Sequence, residues 1–387
     1  FMDSDTQMHL ISGFSDKELR EILDEIFVDD TVDIIEEMPA NVVSRILKNT
    51  DAETRKQINA ILDYPTDSAG SVTTTEYVYL HKNMTTKEAL DWIRKVGVVK
   101  ETIYTCYITE SRKLIGFVTI LDLVTADEDA TIESIMDSNV KFVYTHEDRE
   151  DVAKKFSKYD FLAMPVVDNE ERMVGIITFD DVLDVIAEEN EEDFSKMAAM
   201  QPIEDSYFKT SVFTHAKKRI GWLLVLMLSA TITGNLLTKY EEAFQAIPIL
   251  VSFIPMLMST GGNCGSQSST TVIRGLATGE IQFKDFFKAV FKEFRISLII
   301  SVILAVTNGL RIFIFYKNLQ LSIVITLSII GTVIIAEFIG CALPLIAKKV
   351  KLDPAIMATP LISTIVDTCS MLIYFQFATM IFSELRH

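Results

Sequence analysis

The chain has few of the side chains on which metal centres and covalent catalysis usually depend. Its 387 residues include only four cysteines and five histidines. Cys106, Cys264, Cys341 and Cys369 are widely spaced and form neither a CxxC pair nor a cluster with histidine. This spacing argues against a disulfide framework and against a zinc site. A Walker phosphate loop and a nucleophile–base arrangement are also missing, so we expect no enzyme.

The first part of the chain is also short of basic residues. Residues 1–214 contain 45 acidic and 21 basic side chains, a net charge of −24, whereas residues 215–387 carry +6. Binding to phosphates requires Lys and Arg, so this balance argues against nucleic acid as a partner. It raises the local concentration of cations, although a solvated surface explains the same charge. Residues 1–4 show no basic region before an apolar core, so no signal peptide is expected.

Short helices are predicted for residues 1–63. Apolar residues recur at three- and four-residue spacing through residues 14–62, with breaks at 28–30, 38–39 and 50–51. This pattern predicts three or four helices stacked as a small, superhelical, all-α N-domain.

Residues 64–187 contain an internal duplication. LIGFVTILDLV at 114–124 matches MVGIITFDDVL at 173–183, which lies 59 residues later. Each copy is predicted to be a β-α-β-β-α unit, the first over 64–130 and the second over 131–187. The two units resemble a tandem pair of CBS domains, which has an α/β fold.

The resemblance to CBS domains implies a nucleotide site. The Thr and Asp of the repeated G-x-[VI]-T-x-x-D motif hold an adenosine ribose in such domains, so ATP is an expected ligand. Helix capping by the same side chains is the alternative. The residues concerned are Thr119, Asp122, Thr178 and Asp181.

A strongly acidic helix is predicted after the duplicated units. Residues 184–214 include the run DVIAEENEEDFSKMAAM, and the helix is expected to end near Pro202. We assign residues 188–214 to this connecting helix. A solvated linker explains its charge, and transmission of force to the membrane is the alternative.

Residues 215–387 are predicted to form an all-α transmembrane domain of five helices. Five segments approach or exceed the ~20 residues that cross a hydrocarbon core. They are residues 221–238, 247–276, 295–316, 322–347 and 355–384. Basic residues concentrate before the first segment and in alternate connections. The positive-inside rule then predicts a cytoplasmic N-terminus and an extracellular C-terminus. The lack of a targeting sequence leads us to expect the plasma (inner) membrane.

Two of these segments contain polar groups at bilayer depth. Asp367 is a single carboxylate near the middle of the fifth segment, where a charge costs at least ~2.5 kcal/mol. The second segment contains the pattern P-x5-G-G-N-x-G-x-Q at 255–267. Its two amides fall on one helical face and favour a polar pathway, whereas its glycines also fit close helix packing. The candidate pore-lining residues here are Gly261, Gly262, Asn263 and Gln267.

With these motifs the chain closely resembles the MgtE-type family of magnesium channels and transporters. The most specific matches are the pattern at 255–267 and DPAIMATPLISTIVDTCSMLIYF at 353–375. The resemblance implies a homodimer in a lipid membrane that conducts Mg2+ and is gated by cytosolic Mg2+. It also implies that Asp367 binds the ion near the dimer axis, together with the backbone carbonyl of Ser363.

The resemblance further implies a cytosolic Mg2+ sensor made of carboxylates. One group belongs to the second CBS unit, a second to the connecting helix, and the last residue lies at the cytosolic mouth of the fifth span. These residues are Asp148, Glu150, Asp160, Asp181 and Asp184, then Glu189, Glu192 and Asp193, and finally Asp353.

Two further candidate pore-lining residues, Thr359 and Glu337, depart from the family pattern. Thr359 stands where the family commonly has Asn, and a hydroxyl bonds a hydrated ion differently from an amide, so it bears on selectivity. Glu337 in the fourth segment is either a protonated or hydrogen-bonded residue of the bundle or a second cation or proton site. A secondary transporter of Mg2+, Co2+ or Mn2+ coupled through Glu337 is therefore an alternative function. A CBS-regulated nucleotide receptor that transports nothing is another.

Overall fold

The structure, a computed structural model, describes residues 4–203, 207–382 and 385. The chain divides into two compact units, Phe1–Glu189 and Asn190–His387. The first unit contains the N-domain and the duplicated α/β units. The second contains the end of the acidic helix and the apolar helices.

Short helices pack around one apolar core in the N-domain. In the described residues they are α1 (Ser4–Gly13), α2 (Asp16–Leu23), α3 (Val28–Glu37), α4 (Ala40–Asn49) and α5 (Ala52–Leu62). Leu19, Val32, Ile46 and Ile58 are almost fully buried between them. The expected all-α fold is confirmed. The first break is at 24–27 rather than at 28–30, because Val28 already packs into the core as the first residue of α3.

The predicted β-α-β-β-α order is present twice, which confirms the α/β fold of the pair. The first copy contains β1 (Tyr77–Leu80), α6 (Thr86–Val96), β2 (Thr102–Glu110), β3 (Lys113–Thr119) and α7 (Ile120–Thr125). After the short helix α8 (Ile132–Ile135), the second copy contains β4 (Val143–Tyr144), α9 (Arg149–Tyr159), β5 (Ala163–Val167), β6 (Met173–Thr178) and α10 (Phe179–Met197).

The two copies are joined by backbone pairing. Their sheets have the orders β1-β2-β3 and β4-β5-β6, each with one parallel and one antiparallel pair. The segment before β1 crosses to the second copy, where Thr74 N–H donates to the carbonyl of Ile176 at 2.8 Å. A Cβ on Gly175 would lie 2.2 Å from the carbonyl oxygen of Thr74, so the glycine of the repeated motif permits this crossing.

The acidic helix is a direct continuation of the second copy. It begins at Phe179, as α10, and ends at Met197 rather than near Pro202. Just after this end, Ala199 has a positive φ of 52°, and the backbone N–H of Met200 donates a hydrogen bond to the carbonyl of Ser195. The turn that terminates the helix therefore precedes the proline.

Long helices make up the second unit. They are α11 (Val212–Lys239), the short α12 (Glu241–Ala246), α13 (Ile254–Ala277), α14 (Phe286–Tyr316), α15 (Leu319–Lys349) and α16 (Thr359–Ile381). Four of these, α11, α14, α15 and α16, are long and apolar enough to cross a membrane. Helix α13 has 24 residues, but it carries the polar pattern and is not among the four.

Several of these helices start before the apolar segment that the sequence shows. Helix α11 begins at Val212 instead of 221 and α14 at Phe286 instead of 295. The extra turns hold lysines and arginines, which are good helix formers outside the hydrocarbon core. Within the described residues, α13, α15 and α16 share one core, whereas no residue of α11 is buried.

Candidate functional site

Asp367 lies on α16 with its side chain half-buried. Among the described residues, no basic side chain lies within ion-pair distance of its carboxylate. The hydroxyl of the next residue, Thr368, hydrogen-bonds with Thr233 of α11 at 2.8 Å. Ser363, one helical turn before Asp367, is also half-buried, and the side chain of Thr359 lies outside the described residues. The carboxylate is therefore available to a cation that reaches it.

Helix α13 has a buried face formed by its glycines. Gly261 and Gly265 are both buried, and a Cβ on Gly261 would lie 2.7 Å from Cγ2 of Thr332 on α15. Gly262 faces α16, where a Cβ would lie 3.3 Å from the hydroxyl oxygen of Ser363. The glycines thus serve close helix packing, and they bring α13 beside the turn of α16 that precedes Asp367.

The opposite face of α13 is polar and uncovered in the single chain. Asn263 and Gln267 are both exposed on this face, one helical turn apart. The exposed stripe continues with Ser259, Thr270, Thr271 and Arg274. Lipid tails cannot hydrogen-bond such groups, so this face requires water or a second protein surface.

Glu337 lies inside the helical bundle rather than on this polar face. It is 2% exposed on α15 and hydrogen-bonds with Glu293 of α14, which is 8% exposed. Ser268 of α13 donates to the backbone carbonyl of Glu337 at 3.2 Å. The sequence gives no separate signal for Glu293, because it lies in a run of alternating basic and apolar residues that resembles a helix entering the membrane.

Two of the expected sensor residues meet at the start of the last helix. Asp353 precedes the short 3-10 turn Pro354–Met357, which leads directly into α16. Its Oδ2 atom lies 2.7 Å from Nζ of Lys196, and the same nitrogen lies 2.7 Å from Oε1 of Glu192. Asp193, which follows Glu192 on α10, is half-buried. The sequence pattern did not single out Lys196, which joins the two carboxylates.

The other expected sensor residues make local contacts. Asp148 caps α9, where its Oδ1 accepts from the backbone N–H of Glu150 at 2.8 Å. Glu150 pairs with Lys154 at 2.8 Å, and Glu189 pairs with Arg149 at 3.2 Å. Exposed on the same unit are Asp160 and Asp184. Across the described residues, no three His, Cys, Asp or Glu side chains lie close enough to hold a metal ion.

A second group of carboxylates, which the sequence analysis missed, gathers around Asp181. Burial and the charge of Asp181 raise the pKa of Asp29 to about 8, of Asp33 to about 7 and of Glu101 to about 7. Burial also raises the pKa of Asp181 to about 6. Oδ1 of Asp29 is a buried oxygen without a hydrogen-bond partner in the described structure. The sequence signal was the four-residue spacing of Asp29 and Asp33, which puts both on one side of α3.

The expected nucleotide residues cap helices in both copies. Oγ1 of Thr119 donates to Asp122 at 2.6 Å, and Oγ1 of Thr178 donates to Asp181 at 2.6 Å. Asp122 is exposed, whereas Asp181 is half-buried beside the carboxylates of the N-domain. The capping alternative therefore describes the contacts seen, and the Asp of the first copy is the more exposed of the two.

Family models match three parts of the chain. A family model described as a divalent cation transporter matches residues 254–377, an MgtE intracellular N domain matches 1–67 and a CBS domain matches 132–188. The magnesium transporter MgtE of Bacillus subtilis is 34% identical over 352 residues, which cover 91% of this chain and 78% of the relative. The chain belongs to the MgtE family.

A further relative gives the same result. The magnesium transporter MgtE of Thermus thermophilus is 34% identical over 332 residues, or 86% of this chain and 74% of that protein. The crystal structure of the cytosolic domain of the Mg2+ channel MgtE in complex with ATP is 36% identical, with a TM-score of 0.45. It covers 48% of this chain and 76% of that chain. Family membership confirms a multi-pass membrane protein that transports divalent cations, and not an enzyme.

Proposed function

We propose that this MgtE-family chain forms a homodimeric channel for Mg2+ uptake, which closes when cytosolic Mg2+ binds its acidic regions. The observation that carries the proposal is Asp367, a half-buried carboxylate on an apolar helix with no basic partner in the described structure. A charge in such a place is retained at a cost of at least ~2.5 kcal/mol, which a role in an ion pathway explains.

The chemistry of Mg2+ suits a site with so few protein ligands. Mg2+ loses its water reluctantly and is usually held by one or two carboxylates while it keeps several waters. Two Asp367 carboxylates, one from each subunit, would attract the hydrated ion without stripping it. The carbonyl of Ser363, one turn away, and the hydroxyls nearby would then contact its water shell.

The exposed polar stripe of α13 supports the dimer. Asn263 and Gln267 face outward from the single chain, and lipid would leave their amides unsatisfied. A second copy related by a two-fold axis would enclose both stripes around a wet pathway. The axis also supplies the second carboxylate that a divalent ion needs.

The distribution of basic residues supports the direction of transport. Residues 217–219 lie in the first turns of α11, and further basic residues lie from the end of α13 to the start of α14 and around the end of α15. By the positive-inside rule, the N-terminal region then lies in the cytoplasm of a plasma membrane and the C-terminus outside. An inside-negative potential favours entry of a divalent ion by about 4.6 kcal/mol per 100 mV.

Mutual repulsion among carboxylates supports gating by Mg2+. Asp29, Asp33 and Glu101 all face Asp181, and burial together with the charge of Asp181 raises their pKa values, so it is costly to hold these groups together as anions. A divalent cation between them would remove that cost. Because a ligand shifts an equilibrium only by binding its two states differently, Mg2+ would favour the state in which these carboxylates are closest.

Coupled transport is the second candidate function, and the buried pair formed by Glu337 and Glu293 favours it. Two hydrogen-bonded carboxyl groups in an apolar bundle can hold a proton, which a transporter could exchange for a divalent cation. The packing of both side chains away from the polar face of α13 favours the channel.

Nucleotide binding is assigned to the first CBS copy. Thr119 and Asp122 form a capping box with an exposed carboxylate, which is able to accept hydrogen bonds from ribose hydroxyls. In the second copy the equivalent Asp181 faces other carboxylates, which would repel a polyphosphate. ATP would then act as a regulator and the chain would still conduct ions. A receptor that transports nothing would show ATP binding without flux.

Flux into proteoliposomes tests the main proposal. We expect Asp367→Asn to abolish Mg2+ uptake, because the neutral amide cannot attract a divalent cation. Co2+ and Mn2+ as competitors report whether Thr359 broadens selectivity. Glu337→Gln also replaces an intramembrane carboxyl by an amide, and in a channel it should retain flux, so it is the matched control for the main proposal. Unchanged flux in Asp367→Asn would place the pore carboxylate elsewhere.

A further inference from the structure

One ammonium group lies where a cation would bridge two carboxylates at the entrance of the last helix. Nζ of Lys196 lies 2.7 Å from Oε1 of Glu192 and 2.7 Å from Oδ2 of Asp353. Glu192 lies one helical turn before Lys196 on α10, whereas Asp353 belongs to the connection between α15 and α16. The ammonium therefore holds together two acidic groups that are far apart in sequence.

Asp353 is linked to both helices of the proposed pathway. Its second carboxylate oxygen, Oδ1, accepts the backbone N–H of Ala355 at 2.8 Å and so caps the 3-10 turn that starts α16. At the end of the same turn, the carbonyl of Met357 accepts from Oγ of Ser269 on α13, at 2.9 Å. A change in what Asp353 binds therefore acts directly on the turn that leads from α15 into α16 and that is hydrogen-bonded to α13.

The three groups are partly shielded from solvent. The side chains of Lys196 and Asp353 are 24% and 29% exposed, and that of Glu192 is 39% exposed. The ammonium of Lys196 supplies the positive charge between Glu192 and Asp353, and the two carboxylates would repel each other without it.

We propose that Lys196 is a tethered competitor for a divalent cation that binds between Glu192 and Asp353, and so sets the Mg2+ concentration at which the channel closes. The inference rests on the proposed gating by cytosolic Mg2+. Mg2+ that bridges these two carboxylates would occupy the place of the ammonium nitrogen, and two positive charges so close would repel. Binding of the ion then requires Lys196 to leave.

A simple latch makes the opposite prediction. If Lys196 only fastened α10 to the start of α16 in the closed state, its removal would weaken closure and more Mg2+ would be needed. If Lys196 competes with Mg2+, its removal leaves two unneutralised carboxylates that bind the ion more tightly. The direction of the shift therefore separates the two roles.

The test measures Mg2+ flux in proteoliposomes against graded Mg2+ on the side of the N-terminal region. We expect Lys196→Gln to lower the half-inhibitory Mg2+ concentration about threefold to tenfold. This range corresponds to the loss of two partly exposed ion pairs that compete with Mg2+ for the same carboxylates. Lys196→Arg keeps the charge and should stay within about twofold of wild type. Lys82→Gln is the matched control, because Lys82 pairs with Glu110 at 2.8 Å and is similarly exposed at 31%.

The test distinguishes a failure of the competitor role from a failure of the proposed gating by Mg2+. An unchanged or raised half-inhibitory concentration in Lys196→Gln overturns the competitor role. Wild-type protein that internal Mg2+ does not inhibit would instead overturn the gating on which the inference rests. If Lys196→Gln conducts poorly, hydrogen exchange at the end of α10 in purified full-length protein replaces flux. Half-maximal protection should then occur at a lower Mg2+ concentration in the variant than in wild type, and equal concentrations would overturn the proposal.

Discussion

At the scale of single residues, the buried pair of Glu293 and Glu337 separates a channel from a coupled transporter. A hydrogen bond between two carboxyl groups contains a proton, and Glu337→Gln supplies a similar donor of the same size. If the pair only packs α14 against α15, we expect the variant to retain Mg2+ flux that does not depend on a pH gradient. Flux is measured with and without an imposed gradient.

Coupled transport would give a different result. Wild-type flux that requires a proton gradient, together with loss of that requirement in Glu337→Gln, would favour coupled transport. The same result in Glu293→Gln would show that the two residues act together.

Gly340 lies where α15 packs closely against α13, and a substitution there tests this packing. A Cβ on Gly340 would lie 2.3 Å from the carbonyl oxygen of Gly265, and the backbone of α13 cannot yield as a flexible side chain would. We expect Gly340→Ala to lower the free energy of unfolding by about 1–3 kcal/mol, the usual cost of overpacking. Thermal unfolding in detergent measures it. Gly234→Ala on α11 is the control, because no atom lies within 4 Å of its added Cβ, and equal losses in both variants would contradict the packing role.

Single residues also show where sequence reasoning stops. The capping of α7 by Thr119 and the packing role of the glycines in α13 both follow from local sequence patterns. The contacts of Lys196 with Asp353 and of Glu293 with Glu337 join residues 157 and 44 positions apart. Local periodicity contains no information on such pairs, since only the packing of distant helices brings them together.

At the scale of elements, helix α3 is expected to respond to pH. The pKa values of Asp29, Asp33 and Glu101 are raised to between about 7 and about 8, well above the ordinary values of 3.8 and 4.5. Carboxyls with raised pKa values stabilise the folded contact while protonated, fully below about pH 4, and this contribution is lost as pH rises through 7 to 8. Without divalent cations, α3 should therefore become less protected from hydrogen exchange between pH 6 and pH 8.

Mg2+ and substitution both test this account. Saturating Mg2+ should restore the protection of α3 at pH 8, because the cation replaces the protons between the carboxylates. The double variant Asp29→Asn, Asp33→Asn should stay protected at both pH values and lose its response to Mg2+. Exchange rates corrected for intrinsic pH dependence that are equal at pH 6 and 8 in wild type would contradict the prediction.

The elements themselves were largely predictable, and their ends were not. The repeated G-x-[VI]-T-x-x-D motif places a strand and a helix in each copy, and β3, α7, β6 and α10 follow it. Helices α11 and α14 extend beyond their apolar segments, because backbone hydrogen bonds continue into the charged turns where hydropathy falls. The end of α10 at Met197 depends on one positive φ at Ala199, which no residue preference indicates.

At the scale of the whole molecule, the polar face of α13 argues for a second copy of the chain. Asn263 and Gln267 are exposed although the opposite face of the same helix is tightly packed, and α11 has no buried residue at all in the described structure. A lone chain would present these amides to lipid at a cost of about 1–3 kcal/mol each. Pairing of two α13 helices across an axis would remove this cost and would bring two Asp367 carboxylates towards one pathway.

Thiol cross-linking between copies tests this arrangement. In a background where the four native cysteines are replaced, we expect Asn263→Cys and Gln267→Cys each to give a covalent dimer with a short bifunctional thiol reagent in membranes. Ile303→Cys is the control, since Ile303 is 61% exposed on α14, outside the polar stripe. Cross-linking at Ile303 but not on α13 would place the interface on another face and separate the two Asp367 residues. Added Mg2+ should change the cross-linking rate at Gln267 if closure narrows the pathway between the two copies.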